Sequence, residues 1–259
     1  MLAMGLLSSR VLQWGGVRLI TVLGAIALTT ASAPSSALAH GNKPHTVPSE
    51  RVELSFGRTQ DYDYDPPMPG SYQLPPIKAA GDGWVLDTRG ERRRLQQVMD
   101  GHITVLAFIY TRCSDPQGCP LSMTLLYDLL YVSHQDPAMG ANLRLVALSF
   151  DPGHDTPEVM AEYAGEEQTK GAERSQLVFL TTESRADLEP ILEAYDQSIG
   201  RKLDAADSFG PYTHQLKVFL IDRQARVRNI YSLGFLDPRL VITDVRTLLL
   251  EEHGKAPAK

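Results

Sequence analysis

The sequence predicts an α/β protein with one mixed central sheet, helices on both faces and an N-terminal hairpin. Three observations predict it: short apolar runs suited to strands alternate with segments of helical period, two strand-like runs stand together before a final helix, and no segment repeats. Of 259 residues, 43% are hydrophobic and 22% charged, which excludes a disordered or collagen-like chain and leaves one domain, at most two.

The hairpin is expected at Trp84-Val85-Leu86, a turn at Asp87-Thr88-Arg89-Gly90, and a short polar strand beyond it. A buried strand follows from Ile103 to Tyr110. From Pro120 to Ser133, Leu121, Leu125, Leu129 and Val132 fall on one face, as an amphipathic helix requires. Leu143 to Phe150 is a second apolar strand. Thr156-Pro157-Glu158 reads as an N-cap, a proline at the first helical position and an acid in the first turn, so a helix should run toward Glu166. Leu177 to Leu180 is a third strand. A further helix is expected over about Asp187 to Ser198, with Asp187 as the cap that would accommodate Pro190. Strands Leu216 to Ile221 and Val227 to Ser232, joined at Asp222-Arg223-Gln224-Ala225, precede a last helix from Asp237 to about Glu251. This order is that of a thioredoxin-like fold.

The N-terminal side divides into two further parts. In residues 1–39 the only charges are Arg10 and Arg18, an apolar run follows from Leu19 to Leu28, and Ala37-Leu38-Ala39 closes the segment, the pattern of a secretory signal with an A-x-A cleavage site. A membrane anchor needs about 20 strongly apolar residues, and Thr29, Ser32, Pro34, Ser35 and Ser36 dilute this run sooner. An uncleaved anchor and an organellar presequence are the alternatives. Residues 40–76 hold seven of the seventeen prolines and no periodic pattern, and read as an extended arm ahead of a domain over 77–259. Export implies an oxidising, periplasmic-type compartment. The net charge of −6 and pI near 5.6 argue against nucleic acid or an anionic membrane surface as partner.

Only two cysteines exist, Cys113 and Cys119, and both stand between a core strand and a helix start. They can pair with each other, share a ligand or stay free. Pro120 suits the first helical position, which puts Cys119 at the N-cap, where the helix dipole favours thiolate, the form that attacks disulfides and binds soft metals. A structural disulfide is the plainer alternative. Among other candidates, His154 between Asp151 and Asp155 offers a hard metal site, although turn and cap chemistry explains the same residues. His102 is expected in the turn before its strand. His40 and His45 at a mature terminus could chelate Cu(II), against the plain reading of a tail. Met123 lies four residues after Cys119, where core packing is the simpler use. The run Glu91-Arg92-Arg93-Arg94 reads as a solvated face.

Phe108-Ile109-Tyr110-Thr111-Arg112-Cys113, Cys119-Pro120, Ser149-Phe150-Asp151-Pro152, Asp155-Thr156-Pro157, and His214 ahead of Val218-Phe219-Leu220-Ile221-Asp222 together resemble the Sco/SenC proteins. The resemblance covers about Trp84 to Leu250. It implies a thioredoxin fold, copper held by Cys113, Cys119 and His214, and a part in assembling the copper site of cytochrome c oxidase. One departure stands out: five residues, Ser114 to Gly118, separate the cysteines where the family pattern has three. Pro116 and Gly118 are turn formers that would let the longer loop fold back. The ligand types suit copper, since thiolates favour Cu(I) and imidazole takes both Cu(I) and Cu(II).

Two functions follow from these residues. The first is an exported metallochaperone, not an enzyme, that passes copper to an exported or membrane protein such as a cytochrome c oxidase subunit. The second is a thiol–disulfide oxidoreductase whose redox pair is Cys113 and Cys119, with His214 only tuning a thiol. Peroxidase chemistry of the peroxiredoxin kind is disfavoured, because Tyr110 stands where a Thr is wanted, three residues before the cysteine.

Overall fold

The computed structural model describes residues 64–165, 176–204 and 207–254. The expected signal segment, most of the arm and the His40–His45 terminus lie outside the described residues. Chain order is β1 (Lys78–Ala79), β2 (Trp84–Asp87), β3 (Arg92–Arg94), α1 (Leu95–Met99), β4 (Ile103–Ile109), α2 (Cys119–Gln135), α3 (Pro137–Asn142), β5 (Leu143–Ser149), α4 (Pro157–Ala164), β6 (Leu177–Thr181), α5 (Arg185–Ala194), β7 (Ile199–Arg201), β8 (Tyr212–His214), β9 (Lys217–Ile221), β10 (Arg226–Ser232) and α6 (Pro238–Glu252).

Eight strands form one mixed sheet in the order β1-β10-β9-β4-β5-β6-β2-β3, and β7 pairs with β8 as a separate ribbon. β4, β5 and β6 run parallel, from Ile103 opposite Leu143 to Leu148 opposite Leu180. Every residue of these three strands is buried, as central parallel strands covered on both faces must be. β9 and β10 add antiparallel, with Val218 opposite Ala107 and Lys217 opposite Ser232. The carboxyl end of β4, the start of β9 and the end of β10 therefore meet at one end of the sheet.

Helix starts follow local chemistry. Asp136, Thr156 and Asp237 each cap a helix that opens with proline, their side chains accepting from backbone N–H groups of the first turn. α5 departs from expectation: Ser184, not Asp187, is its cap, and Pro190 lies inside the helix, which ends at Ala194. Ser184 wins because its hydroxyl takes the Asp187 N–H at 3.1 Å, while the Asp187 carboxylate reaches back to the Ser184 hydroxyl at 2.6 Å. α2 departs as well. Gly118 is the cap, its carbonyl taking the N–H groups of Leu121 and Ser122 at 3.1 and 3.2 Å, so Cys119 is the first helical residue. Three short pieces, β1, α1 and α3, and the β7–β8 ribbon were not expected.

The core joins the helices to the sheet. Tyr195, at the end of α5, packs edge-on against Phe108 of β4 and Phe219 of β9, with ring centroids 5.5 and 4.9 Å apart. Met123 is buried in α2 and belongs to this core. His102 sits in the turn before β4, as expected. On β3, Arg92 and Arg94 lie over the exposed Trp84 ring, at 4.6 and 5.2 Å from its centroid. Among the described residues, no helix is long and apolar enough to cross a membrane.

Candidate metal centre

The fold brings Cys113, Cys119 and His214 together, the imidazole coming from 95 residues beyond Cys119. Cys119 is fully buried at the head of α2, Cys113 is partly exposed in the loop before it, and both are free thiols. Nε2 of His214 lies 3.6 Å from Cys119 Sγ. The two thiols act on each other's protonation. Cys119 Sγ also accepts the Tyr110 backbone N–H at 3.4 Å, which ties the sulfur to the end of β4.

The longer loop closes as a turn. The Asp115 side chain accepts the Gln117 N–H at 3.0 Å and the Asp115 carbonyl accepts the Gly118 N–H at 2.9 Å. A Cβ at Gly118 would stand 3.2 Å from Cys113 Sγ, so glycine keeps the sulfur's approach open. The loop is stitched to the stretch before β8: Ser114 donates to the Ser208 carbonyl at 2.6 Å and Tyr110 Oη to the Phe209 carbonyl at 3.1 Å.

His214 comes from β8. Side chains alternate along a strand, so Tyr212 and His214 share the half-buried side of the ribbon and Thr213 faces out. Ile199 of β7 pairs with His214 and fixes its register. Phe150 packs edge-on to the imidazole at 4.8 Å and Tyr110 at 6.4 Å; Tyr212 packs on both rings, at 5.9 and 5.3 Å. This aromatic wall limits water around the sulfurs and the ring. Sequence reasoning gave Phe150 and Tyr212 no part in the site: Phe150 entered only within a family-like segment, and Tyr212 has nothing in its local pattern to distinguish it from a core residue.

The two thiols are held in opposite protonation states. Cys113 is pulled down to about 4, chiefly by the hydrogen bond that the Cys119 thiol donates to it, helped by loop N–H groups, with burial opposing. Cys119 is pushed well above the ordinary thiol range by that same bond and by burial. The expectation that the helix start makes Cys119 the acidic thiol is thus reversed. The hydrogen bond to Cys113 and burial together outweigh the dipole, and the half-exposed partner carries the charge.

The Asp151, His154 and Asp155 group has ligand-type atoms within 4.8 Å of one another, but its oxygens are committed. Asp155, fully buried, accepts from the Thr111 N–H and hydroxyl, Ser149 Oγ and His154 Nδ1. Asp151 accepts from Arg112 Nη2 at 2.6 Å and Tyr212 Oη at 2.9 Å. The turn reading of this group therefore stands over the hard-metal one.

A mixed sheet carrying two thiols at a strand-to-helix junction, with an imidazole delivered from the far side of the chain, defines a thioredoxin-fold protein with a dithiol–imidazole site. The chain belongs to the SCO1/SenC family, whose model matches residues 76–250. It is 29% identical over 99 residues to the SCO2-like protein RP587 of Rickettsia prowazekii (strain Madrid E), a match covering 38% of this chain and 45% of that protein, less than half its length. Among solved structures, the SCO1/SenC family lipoprotein of Bacillus anthracis is similar at 18% identity and TM-score 0.55, over 69% of this chain and 99% of that one. The copper-bound ScoI of Arabidopsis thaliana is similar at 20% identity and TM-score 0.51, over 67% and 99%. At these identities the likeness is one of fold.

Proposed function

We propose that the chain is an exported copper carrier in which Cys113, Cys119 and His214 hold the ion and hand it to an acceptor, a cytochrome c oxidase subunit or another exported copper protein. The observation that carries this is the convergence of two sulfurs and one ring nitrogen, with Nε2 at 3.6 Å from Cys119 Sγ. Two thiolates and an imidazole suit copper in both oxidation states. Cys113 is already the charged sulfur, so a cation meets an anion at the exposed side of the site, and the buried Cys119 gives up its proton on binding. The copper-bound Arabidopsis relative and the family membership support the same cargo. Export fits the N-terminal segment, with cleavage after Ala39 and a mature chain from His40.

Titrating the reduced full chain with Cu(II), beside Cys113→Ser, Cys119→Ser and His214→Ala, tests this. One copper per chain with a thiolate-to-copper absorption band is expected for the wild type and its loss in each variant. A His214→Ala protein that binds Cu(II) with wild-type affinity takes the imidazole out of the site.

That last outcome would favour a second reading, for which the split protonation is the specific observation. A charged, accessible Cys113 beside a protonated, buried Cys119 suits thiol–disulfide exchange. The Cys113 thiolate would attack a partner's disulfide, displacing one partner thiolate and forming a mixed disulfide. Cys119, losing its proton, would then displace the second, leaving the partner's dithiol reduced and Cys113–Cys119 oxidised.

A further inference from the structure

We propose that Gln197 is the positioning residue that presents His214 as a nitrogen ligand, an inference that rests on the metal-binding reading above. Gln197 lies in the turn between α5 and β7, is only 3% exposed, and is held there by its own N–H to the Leu192 carbonyl at 2.8 Å. Its side-chain Nε2 donates to the Gln215 carbonyl at 2.8 Å. The same carbonyl faces His214 Nδ1 at 3.3 Å. A carbonyl oxygen only accepts, so the ring nitrogen facing it carries the proton. Nε2, on the sulfur side, then keeps the lone pair that a metal needs. The Gln215 peptide stands between β8 and β9, outside both ladders, so a bond from Gln197 fixes which way its carbonyl points.

The amide's other end makes this a functional rather than a stabilising arrangement. Gln197 Oε1 is buried with no hydrogen-bond partner among the described residues, a cost that an apolar side chain of the same size would avoid. Exchanging the two amide ends would set two oxygens against each other at the Gln215 carbonyl. The amide at this position is accounted for by what its single donor does for the imidazole. Loss of the donor should therefore harm the ligand and spare the fold, the reverse of a structural residue.

Gln197→Met and Gln197→Leu, near in size and without a donor, provide the test in the reduced full chain. In metal-free protein, nitrogen-15 spectra of the His214 ring should show the proton on Nδ1 in the wild type and a mixture of both ring forms in the variants. Cu(II) affinity should fall about 10- to 100-fold in the variants, the range seen when support behind a ligand is removed, with the unfolding midpoint unchanged or raised. Variants with wild-type ring spectra and wild-type affinity overturn the assignment. So does a wild-type ring protonated on Nε2, or a loss of affinity that comes with a lowered midpoint and an unchanged ring. If the wild type takes up no copper, the metal reading fails, and the ring spectra still decide the role of Gln197.

Discussion

Asp155 binds Thr111 twice, accepting its backbone N–H at 3.0 Å and its hydroxyl at 2.5 Å, and so fastens the first residues of the cysteine loop to the loop after β5. The carboxylate is fully buried and also takes the Ser149 hydroxyl. Its removal leaves the half-buried Thr111 N–H and the buried Ser149 hydroxyl without their acceptor.

Asp155→Ala should therefore cost about 2–4 kcal/mol, the scale of leaving buried donors without their charged acceptor. Chemical denaturation of the reduced protein measures it, and a loss under about 0.5 kcal/mol would show that water replaces the carboxylate. Because its oxygens are already in use, wild-type stability should not respond to added Mg2+ or Mn2+.

Gly210→Ala should be more disruptive than its size suggests. Gly210 has φ of +97°, and an added Cβ would stand 2.5 Å from Tyr110 Oη and 2.9 Å from the Arg112 carbonyl. Left-handed backbone and the clash together should cost about 1–3 kcal/mol and loosen the Tyr110–Phe209 stitch over Cys113. Gly153→Ala, with open space around it, is the control and should be near neutral. Equal unfolding midpoints for the two variants would remove the packing argument.

The sheet was legible because β4, β5, β6, β9 and β10 are apolar runs long enough to recognise, and the caps were legible wherever Thr156-Pro157 or Asp237-Pro238 supplied both halves of the signal. The Asp136-Pro137 pair carries that same signal and could have revealed α3. β1, with two residues, and β7 and β8, with three each, are too short to show a period, and only long-range pairing defines them. Cys113, Cys119 and His214 could be named as candidates from residue types and a family pattern, and the fold brings them together. Which sulfur is acidic could not, because it depends on the contact between Cys119 and Cys113, a tertiary fact. Gln197 had no local sign at all: its role comes from a carbonyl eighteen residues away.

Removing Pro116 and Gln117 restores the shorter family spacing while keeping Gly118, whose carbonyl starts α2. Both deleted residues are exposed. Shortening an exposed loop changes closure entropy little, so cooperative unfolding should persist, with a midpoint change equivalent to no more than about 1 kcal/mol. A broad, non-cooperative transition would show that the longer loop is part of the packing.

The thiol pair makes the sharpest chemical prediction. With Cys113 near 4 and Cys119 above the ordinary thiol value of 9, the reduced protein should be alkylated at Cys113 and spared at Cys119 at pH 6. An ordinary thiol reacts several tens of times faster at pH 8 than at pH 6 because its thiolate fraction rises. Cys113 is already ionised at both, so its rate should be nearly flat. The sign for stability follows from the same pair. Between about 4 and 9 the unfolded chain holds a proton on Cys113 that the folded chain has released, so this residue's contribution strengthens as pH rises through that window and is lost as pH falls toward 4. Above 9 the balance turns, because folded Cys119 keeps a proton that the unfolded thiol gives up. Mass mapping of iodoacetamide adducts at pH 6 and 8 checks the assignment, and equal labelling of both cysteines, or a steep rise in the Cys113 rate between the two pH values, would contradict it.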